Sequence, residues 1–263
     1  MIDANYHAHT RRCKHAAGSE REYIESAIRN GFKIFGFSDH TPQPYENGFV
    51  SPIRMDMSEL DGYVDTLKRL REEYADRIEI KIGLETEYFP EHFDKLMREV
   101  RKRDIDYLIL GQHYVPDEEY GFYSGSPSGS KERLEEYVDE VIDALETGEF
   151  MYLAHPDLIH FTGPEDIYLS HMKRLCEYAR DNRIPLELNA LGLMLGKWYP
   201  VESFFRMAAG MGCQIIYGCD AHSPEQVVQP EGIRGMMDFI ETAAVKLSFP
   251  ERHDLPENAG DEV

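Results

Sequence analysis

The sequence predicts an α/β fold of repeated βα units around a parallel sheet, closing as a barrel, and two patterns predict it. Short β-type runs alternate with longer segments of helical periodicity, the arrangement that covers a parallel sheet with helices. Side chains able to ligate metal recur where those runs end, which in a barrel is one shared face. At 263 residues the chain could form one large barrel or two ordinary domains. The alternation continues without an internal repeat or an intervening linker, so the expectation is one domain over residues 1–263.

Seven β-type runs fall at 2–9, 33–40, 78–89, 107–115, 152–156, 185–190 and 214–222. Helix starts lie between them. Ser19 and Glu22 form a capping box, in which each side chain satisfies an amide that the first turn leaves unpaired, and Ser58 with Asp61 resembles another. In the segment after Ser58, Leu60, Tyr63, Val64, Leu67 and Leu70 recur near helical spacing and should cover the sheet. Two long connections, 41–57 and 116–130, carry proline and glycine, the second as GFYSGSPSGS. Each reads as a surface loop or a flexible lid over a site. The final stretch, 250–263, reads as a frayed acidic tail.

With 49 acidic residues against 28 basic ones, the formal charge is −21. A field of that sign repels phosphate backbones and anionic lipids, so neither nucleic acid nor a membrane is an expected partner. No stretch approaches the roughly 20 apolar residues of a membrane span, and no basic region followed by an apolar run opens the chain, so a cytoplasmic location is expected. Cys13, Cys176, Cys213 and Cys219 have neither CxxC spacing nor the density of a disulfide scaffold and read as buried thiols. Nothing in the sequence sets an oligomeric state.

The chemistry collects at the ends of the runs. His7 and His9 end the first, Asp39 and His40 the second, and Glu85 lies late in the third. His113 ends the fourth, His155 the fifth, and Asp220 with His222 the seventh, while the sixth reaches Asn189 without a candidate. The pairs His7/His9 and Asp220/His222 are spaced i, i+2, so on a strand both members point the same way, as chelation requires. Neutral imidazoles with carboxylates suit zinc, iron or manganese; calcium would want an oxygen shell. Nine candidates exceed what one ion can coordinate and suit two or three. Asp39 can instead orient a ligand histidine. His92, His160, His171 and His253 lie off the pattern and are read as structural.

The pieces YHAHTRRCKHA, FSDHTP, GLETEYFP, GQHYV, AHPDLI, LELNALGL and CDAHSP together resemble the PHP (polymerase and histidinol phosphatase) family, especially its histidinol-phosphatase branch. The resemblance implies a distorted (β/α)7 TIM-like barrel of the PHP type with three divalent ions. By position, one ion would take His7, His9, Glu85 and Asp220, with Glu85 bridging to a second held also by His113 and His155. A third would take His15, His40 and His222. The implied activity is hydrolysis of a small phosphate monoester by a metal-bound hydroxide, with L-histidinol phosphate, a substrate of histidine biosynthesis, as first choice. The alternative is another small phosphorylated monoester or diester. Glu85 and Asp220 would be catalytic as ligands, and Asp157 or a water would protonate the leaving group.

The chain also departs from that branch. The loop usually similar to TPFCxH is here Thr10-Arg11-Arg12-Cys13-Lys14-His15, and where NTAGLR is common this chain has Asn189-Ala190-Leu191-Gly192-Leu193-Met194. The arginine expected to hold phosphate has no counterpart there. Arg11, Arg12 or Lys14, flanked by His9 and His15, is expected to replace it, since basic side chains clamp phosphate oxygens. Three divalent ions against Glu85 and Asp220 leave a charge of about +4, enough to draw in a phosphate dianion despite the acidic surface, whose field is screened over roughly 8–10 Å. An amidohydrolase would typically present a lysine where His113 stands, and a noncatalytic metal-binding module would typically have lost ligands that are all present here.

Overall fold

The structure is a computed structural model that describes residues 1–248; the acidic tail at 250–263 and His253 lie outside the described residues. Nine strands form among the described residues: β1 (Ala4–Asn5), β2 (Ile34–His40), β3 (Glu79–Thr86), β4 (Tyr107–Leu110), β5 (Tyr114–Val115), β6 (Phe122–Tyr123), β7 (Tyr152–Leu153), β8 (Leu186–Asn189) and β9 (Ile215–Gly218). Seven of them make one sheet in the order β1-β2-β3-β4-β7-β8-β9, and every pairing is parallel. Just beyond β1 and β9, Ala8 bridges Ala221 and the His9 amide donates to the Ala221 carbonyl at 2.9 Å, so the first and last segments meet. The result is the distorted TIM-like barrel that the sequence predicts.

Each of the seven runs contains one barrel strand. The run at 107–115 is the exception in form, because it leaves the barrel after β4 and continues as β5, which pairs antiparallel with β6. Gly111 marks the exit: a Cβ there would collide with the Glu85 carboxylate. Next to it, the Gln112 side chain donates to the carbonyls of Tyr88 and Tyr114, fixing the turn.

Among the described residues eight α-helices accompany the strands: α1 (Glu20–Arg29), α2 (Leu60–Glu73), α3 (Phe93–Val100), α4 (Lys131–Glu146), α5 (Glu165–Asp181), α6 (Ala190–Met194), α7 (Glu202–Met211) and α8 (Met236–Thr242). The Ser19/Glu22 capping box is present at α1. At α2 the expectation shifts: the Asp56 amide donates to the Glu59 carboxylate at 2.9 Å, so the entry is capped two residues before the Ser58/Asp61 pair. Leu60, Tyr63, Val64, Leu67 and Leu70 are all buried, as their spacing predicts.

Alternation along the strands separates two cores. Outward residues such as Phe35, Phe37, Leu84, Leu108, Leu186 and Leu188 pack under the helices, while Tyr107, Ile109, Tyr152 and Ile216 form a second cluster. Gly36 and Gly83 leave the space that the Tyr107 ring fills, and its hydroxyl donates to the carbonyls of Tyr6 and Phe37 at 2.7 and 3.0 Å. The same face of β3 and β8 carries Glu85 and Glu187 instead of apolar side chains. That substitution places charge inside the barrel.

Neither long connection is loose. Arg54, 1% exposed, pairs with Glu118 at 2.8 Å and with Glu87 at 3.1 Å and donates to the Thr41 carbonyl, locking 41–57 against β3 and against 116–130. Within 116–130, Ser124 and Ser128 exchange backbone hydrogen bonds with His113, His160 and Thr162.

Candidate metal centre

Strand ends deliver the candidate ligands to one place. His7 and His9 follow β1, His40 closes β2, Glu85 is the penultimate residue of β3, and His113 stands between β4 and β5. His155 lies just past β7, Asp220 and His222 just past β9, and His15 just past a 3₁₀ turn at Arg11–Cys13. Parallel register puts His40 directly opposite Glu85. His155 and Asp220 have φ of 28° and 49°, a left-handed backbone that non-glycine residues adopt at a cost of order 1–3 kcal/mol and that concentrates at functional sites.

All nine converge. Glu85 Oε1 lies 2.7 Å from His155 Nε2, 3.5 Å from His7 Nε2 and 3.6 Å from His113 Nε2. Its other oxygen lies 2.9 Å from His40 Nδ1 and 3.5 Å from His9 Nε2. Asp220 Oδ1 is 3.1 Å from His9 Nε2 and 3.4 Å from His7 Nε2. Glu85 thus sets one oxygen beside His155, His7 and His113 and the other beside His40 and His9. His9, His40 and His222 bring ligand atoms within 4.8 Å of one another, as do His7, Glu85 and His155, and His7, His9 and Asp220.

His15 Nδ1 lies 2.6 Å from the Cys13 carbonyl and His222 Nδ1 3.1 Å from the Asp220 carbonyl, so both must donate there. Their Nε2 atoms then carry lone pairs, yet they face each other at 3.0 Å. Unless one ring is protonated, two acceptors at that distance repel, and the lowered pKa of both rings favours a metal cation beside them. His7 Nε2, His9 Nδ1, His40 Nδ1, His155 Nδ1 and Glu85 Oε2 are buried without a hydrogen-bond partner, although polar groups surround them. The donor set fits divalent zinc, iron or manganese.

Charge is balanced internally as far as the residues allow. Burial opposes a charged His7, but Glu187, Asp220 and Glu85 outweigh it and raise its pKa well above the usual imidazole value. His9 is similarly pushed up to about 9 against burial, by Asp220 and Asp39. Burial prevails at His40, held well below the usual value, and at His222, which falls to about 3 with the charge of His9 adding to the effect. His15 is lowered by burial and then by His9. Glu85 and Asp220 stay ionised despite burial because imidazoles surround them. Bound cations would supply the positive charge that His7 and His9 otherwise take from protons.

Three supporting residues escape the sequence reading. Glu187 on β8 accepts from His7 Nδ1 at 2.8 Å and from the His155 amide at 3.0 Å, fixing one ring and one strained backbone together. Glu87 accepts from His113 Nδ1 at 2.9 Å. Asn189 donates to Glu187 and Asp220 while its carbonyl oxygen caps α6 at Gly192. The available signal was the alternation in LELN, which puts Glu187 on the same face as Asn189. Asp39 lies 3.6 Å from His9 Nδ1, beside the ring but beyond hydrogen-bond range, and accepts instead from Thr10 and the His40 amide.

A cavity of about 430 Å³ opens on the cluster, with His15, His40, His113, His155, Asp220 and His222 in its wall and Tyr114, Tyr123, Tyr199, Leu158 and Lys197 around them. Arg11, Arg12 and Lys14 are not among its lining residues. Arg11 donates to the Gly18 carbonyl, Arg12 pairs with Glu20 at 2.5 Å, and Lys14 donates to the Ser51 carbonyl at 2.7 Å, so each basic group is committed elsewhere. Asp157 also stands outside the lining. It is fully buried and accepts from the Val201 amide at 2.5 Å, which makes it a brace for the entry to α7, and burial pushes its pKa up to about 7. All four cysteines are buried and unpaired, and burial pushes the Cys13 thiol up to about 12, out of thiolate range. Among the off-pattern histidines, His92 packs on Tyr45, His160 stacks on Trp198, and His171 is buried in α5.

Comparison with known proteins agrees with this geometry. A family model described as PHP domain matches residues 5–191. A probable histidinol-phosphatase of Deinococcus radiodurans is 29% identical over 84% of this chain and 86% of its own length. One from Schizosaccharomyces pombe is 28% identical over 84% of this chain and 81% of its own. The crystal structure of histidinol phosphate phosphatase from Lactococcus lactis, complexed with zinc, L-histidinol and phosphate, superposes with a TM-score of 0.69 at 17% identity. It covers 93% of this chain and 95% of that one. No helix among the described residues is long and apolar enough to cross a membrane.

Proposed function

The chain belongs to the PHP domain family and is a metal-dependent phosphatase, and on that premise we propose that it hydrolyses a small phosphate monoester, L-histidinol phosphate foremost, at a centre of three divalent ions. The observation that carries the reading is the meeting of His15 Nε2 and His222 Nε2 at 3.0 Å, both left as acceptors by their Nδ1 contacts. His7, His9, Glu85 and Asp220 would hold one ion, Glu85, His113 and His155 a second, and His15, His40 and His222 a third. When bound, such ions lower the pKa of a water and offset charge on phosphoryl oxygens.

The remaining work belongs to the chain. Glu187 and Glu87 accept hydrogen bonds from Nδ1 of His7 and His113, which turns Nε2 of both rings toward Glu85, ready to ligate once the rings are neutral. Glu85 stays ionised and spans the two groups of histidines. The tyrosine and leucine wall of the cavity suits a flat, partly apolar leaving group and limits water around it. Among the described residues Asp220 is the only carboxylate in the wall, and it is assigned to an ion, so solvent is the proton source for the departing alkoxide in this reading.

The test combines metal analysis with a substrate screen. Zinc- or manganese-loaded protein should hold two or more equivalents and hydrolyse p-nitrophenyl phosphate, with histidinol phosphate among the best of a panel of phosphorylated metabolites. Fewer than two equivalents and no hydrolysis would overturn the phosphatase reading. Turnover of other monoesters with histidinol phosphate among the poorest would overturn the substrate alone.

A further inference from the structure

The phosphatase reading leaves the phosphate without a protein cation, because the expected arginine position is Met194 and the three basic residues near His15 are committed elsewhere. We propose that Lys197 is the side chain that holds the substrate's phosphate. This inference rests on that reading and names the residue that binds the reacting group.

Lys197 lines the cavity that His155, Asp220 and His222 border, and among the described residues it is the only lysine or arginine to do so. Its ammonium group has no hydrogen bond or ion pair among the described residues, whereas the nearby basic groups of Arg11, Arg12 and Lys14 are all engaged. Lys197 is exposed, so water hydrates its ammonium group in the free protein, and a phosphate entering the cavity would replace that water with a charge-assisted contact.

The backbone beneath the side chain is fixed. Asn189 ties the start of α6 to Asp220 and Glu187. The Lys197 amide then donates to the Gly192 carbonyl at 2.9 Å, closing the turn at the end of α6, where Gly196 takes a φ of 61°. On the other side, the Trp198 indole donates to the Leu158 carbonyl at 2.9 Å and stacks on His160. Tyr199 is buried against Gly192. The chain on both sides of Lys197 is pinned to the metal-binding framework, and its ammonium remains free. A lysine so placed reaches the non-bridging oxygens as a point charge, in contrast with an arginine fork.

The test is phosphate binding by the metal-loaded protein, measured by calorimetry with inorganic phosphate, for wild type, Lys197→Met and Lys197→Arg, with metal content determined for each. Methionine keeps the length and apolar stem, so the turn should be preserved. Its Kd for phosphate should rise about tenfold or more, as expected for losing one charge-assisted contact, while metal content is unchanged and arginine stays within threefold of wild type. KM for p-nitrophenyl phosphate should rise in parallel. A rise under threefold in Lys197→Met, a metal loss that accounts for the rise, or wild-type protein that binds no phosphate would each overturn the proposal. Wild-type protein that binds phosphate but hydrolyses no ester would overturn the phosphatase reading instead, and the Kd comparison would still decide the role of Lys197.

Discussion

His7 Nδ1 and Glu187 Oε1 stand 2.8 Å apart although 180 positions separate them in sequence. The barrel brings them together because β1 and β8 lie close across its interior, and because Gly218 on β9 leaves free the space into which the Glu187 carboxylate extends. An ionised carboxylate can only accept, so the contact fixes the tautomer of His7 and turns its Nε2 toward Glu85 and Asp220. Glu187→Gln keeps the shape and removes the charge. Metal affinity should fall by about 10–100-fold, the usual consequence of losing a carboxylate behind a ligand imidazole, as read by competition with a chromogenic chelator. Unchanged affinity would mean that His7 is not a ligand or needs no orientation.

His222→Ala tests the division of the ions. It removes one member of the 3.0 Å pair with His15 and leaves the Glu85 contacts of His155, His113 and His7 in place. About one equivalent of metal should be lost and the others retained after gel filtration, while His155→Ala should weaken a different one. Identical metal loss in both variants would contradict separate sites.

Arg54→Met should be among the most damaging changes outside the centre. The guanidinium is buried between Glu87 and Glu118, and Glu87 in turn holds His113. Removing one partner of a buried ion pair typically costs about 3–5 kcal/mol, because the remaining charges are left uncompensated. Urea denaturation should register a loss of that size, accompanied by weaker metal binding at His113. A loss under about 1 kcal/mol would mean that water reaches the two carboxylates.

The barrel was legible because each run that ends in a ligand also shows strand periodicity, and all seven contain strands. The positions that escaped share a cause. Glu87 and Glu187 act through histidines distant in sequence, so nothing adjacent to them marks their role. Arg54 sits in a stretch whose proline and glycine content suggested an open loop, whereas its charge is the feature that closes it. For Arg11, Arg12 and Lys14, proximity to His9 and His15 predicted a direction that a tight 3₁₀ turn does not provide. Lys197 lies beyond the motif that pointed to a missing arginine, where only the turn after α6 brings it back to the cavity.

Glu140 on α4 offers a pH test away from the metals. Its carboxyl accepts from the Gln112 side chain at 2.7 Å, and burial, followed by the charges of Glu87, Asp143, Asp117 and Glu136, raises its pKa from 4.5 to about 8. The folded state therefore binds this proton more tightly than the unfolded chain. The resulting stabilisation is fully present below pH 4.5 and is lost as pH rises through 8. Glu140→Gln retains an oxygen acceptor for Gln112 and cannot ionise. It should match wild type near pH 4.5 and exceed it above pH 8, by on the order of 1–2 kcal/mol once partial exposure is discounted. Urea midpoints for the two proteins at both pH values measure the difference. Equal gaps at low and high pH would mean that Glu140 ionises in the folded protein as it does in the unfolded one, and that Gln112 is held by its other two acceptors, the Tyr88 and Tyr114 carbonyls.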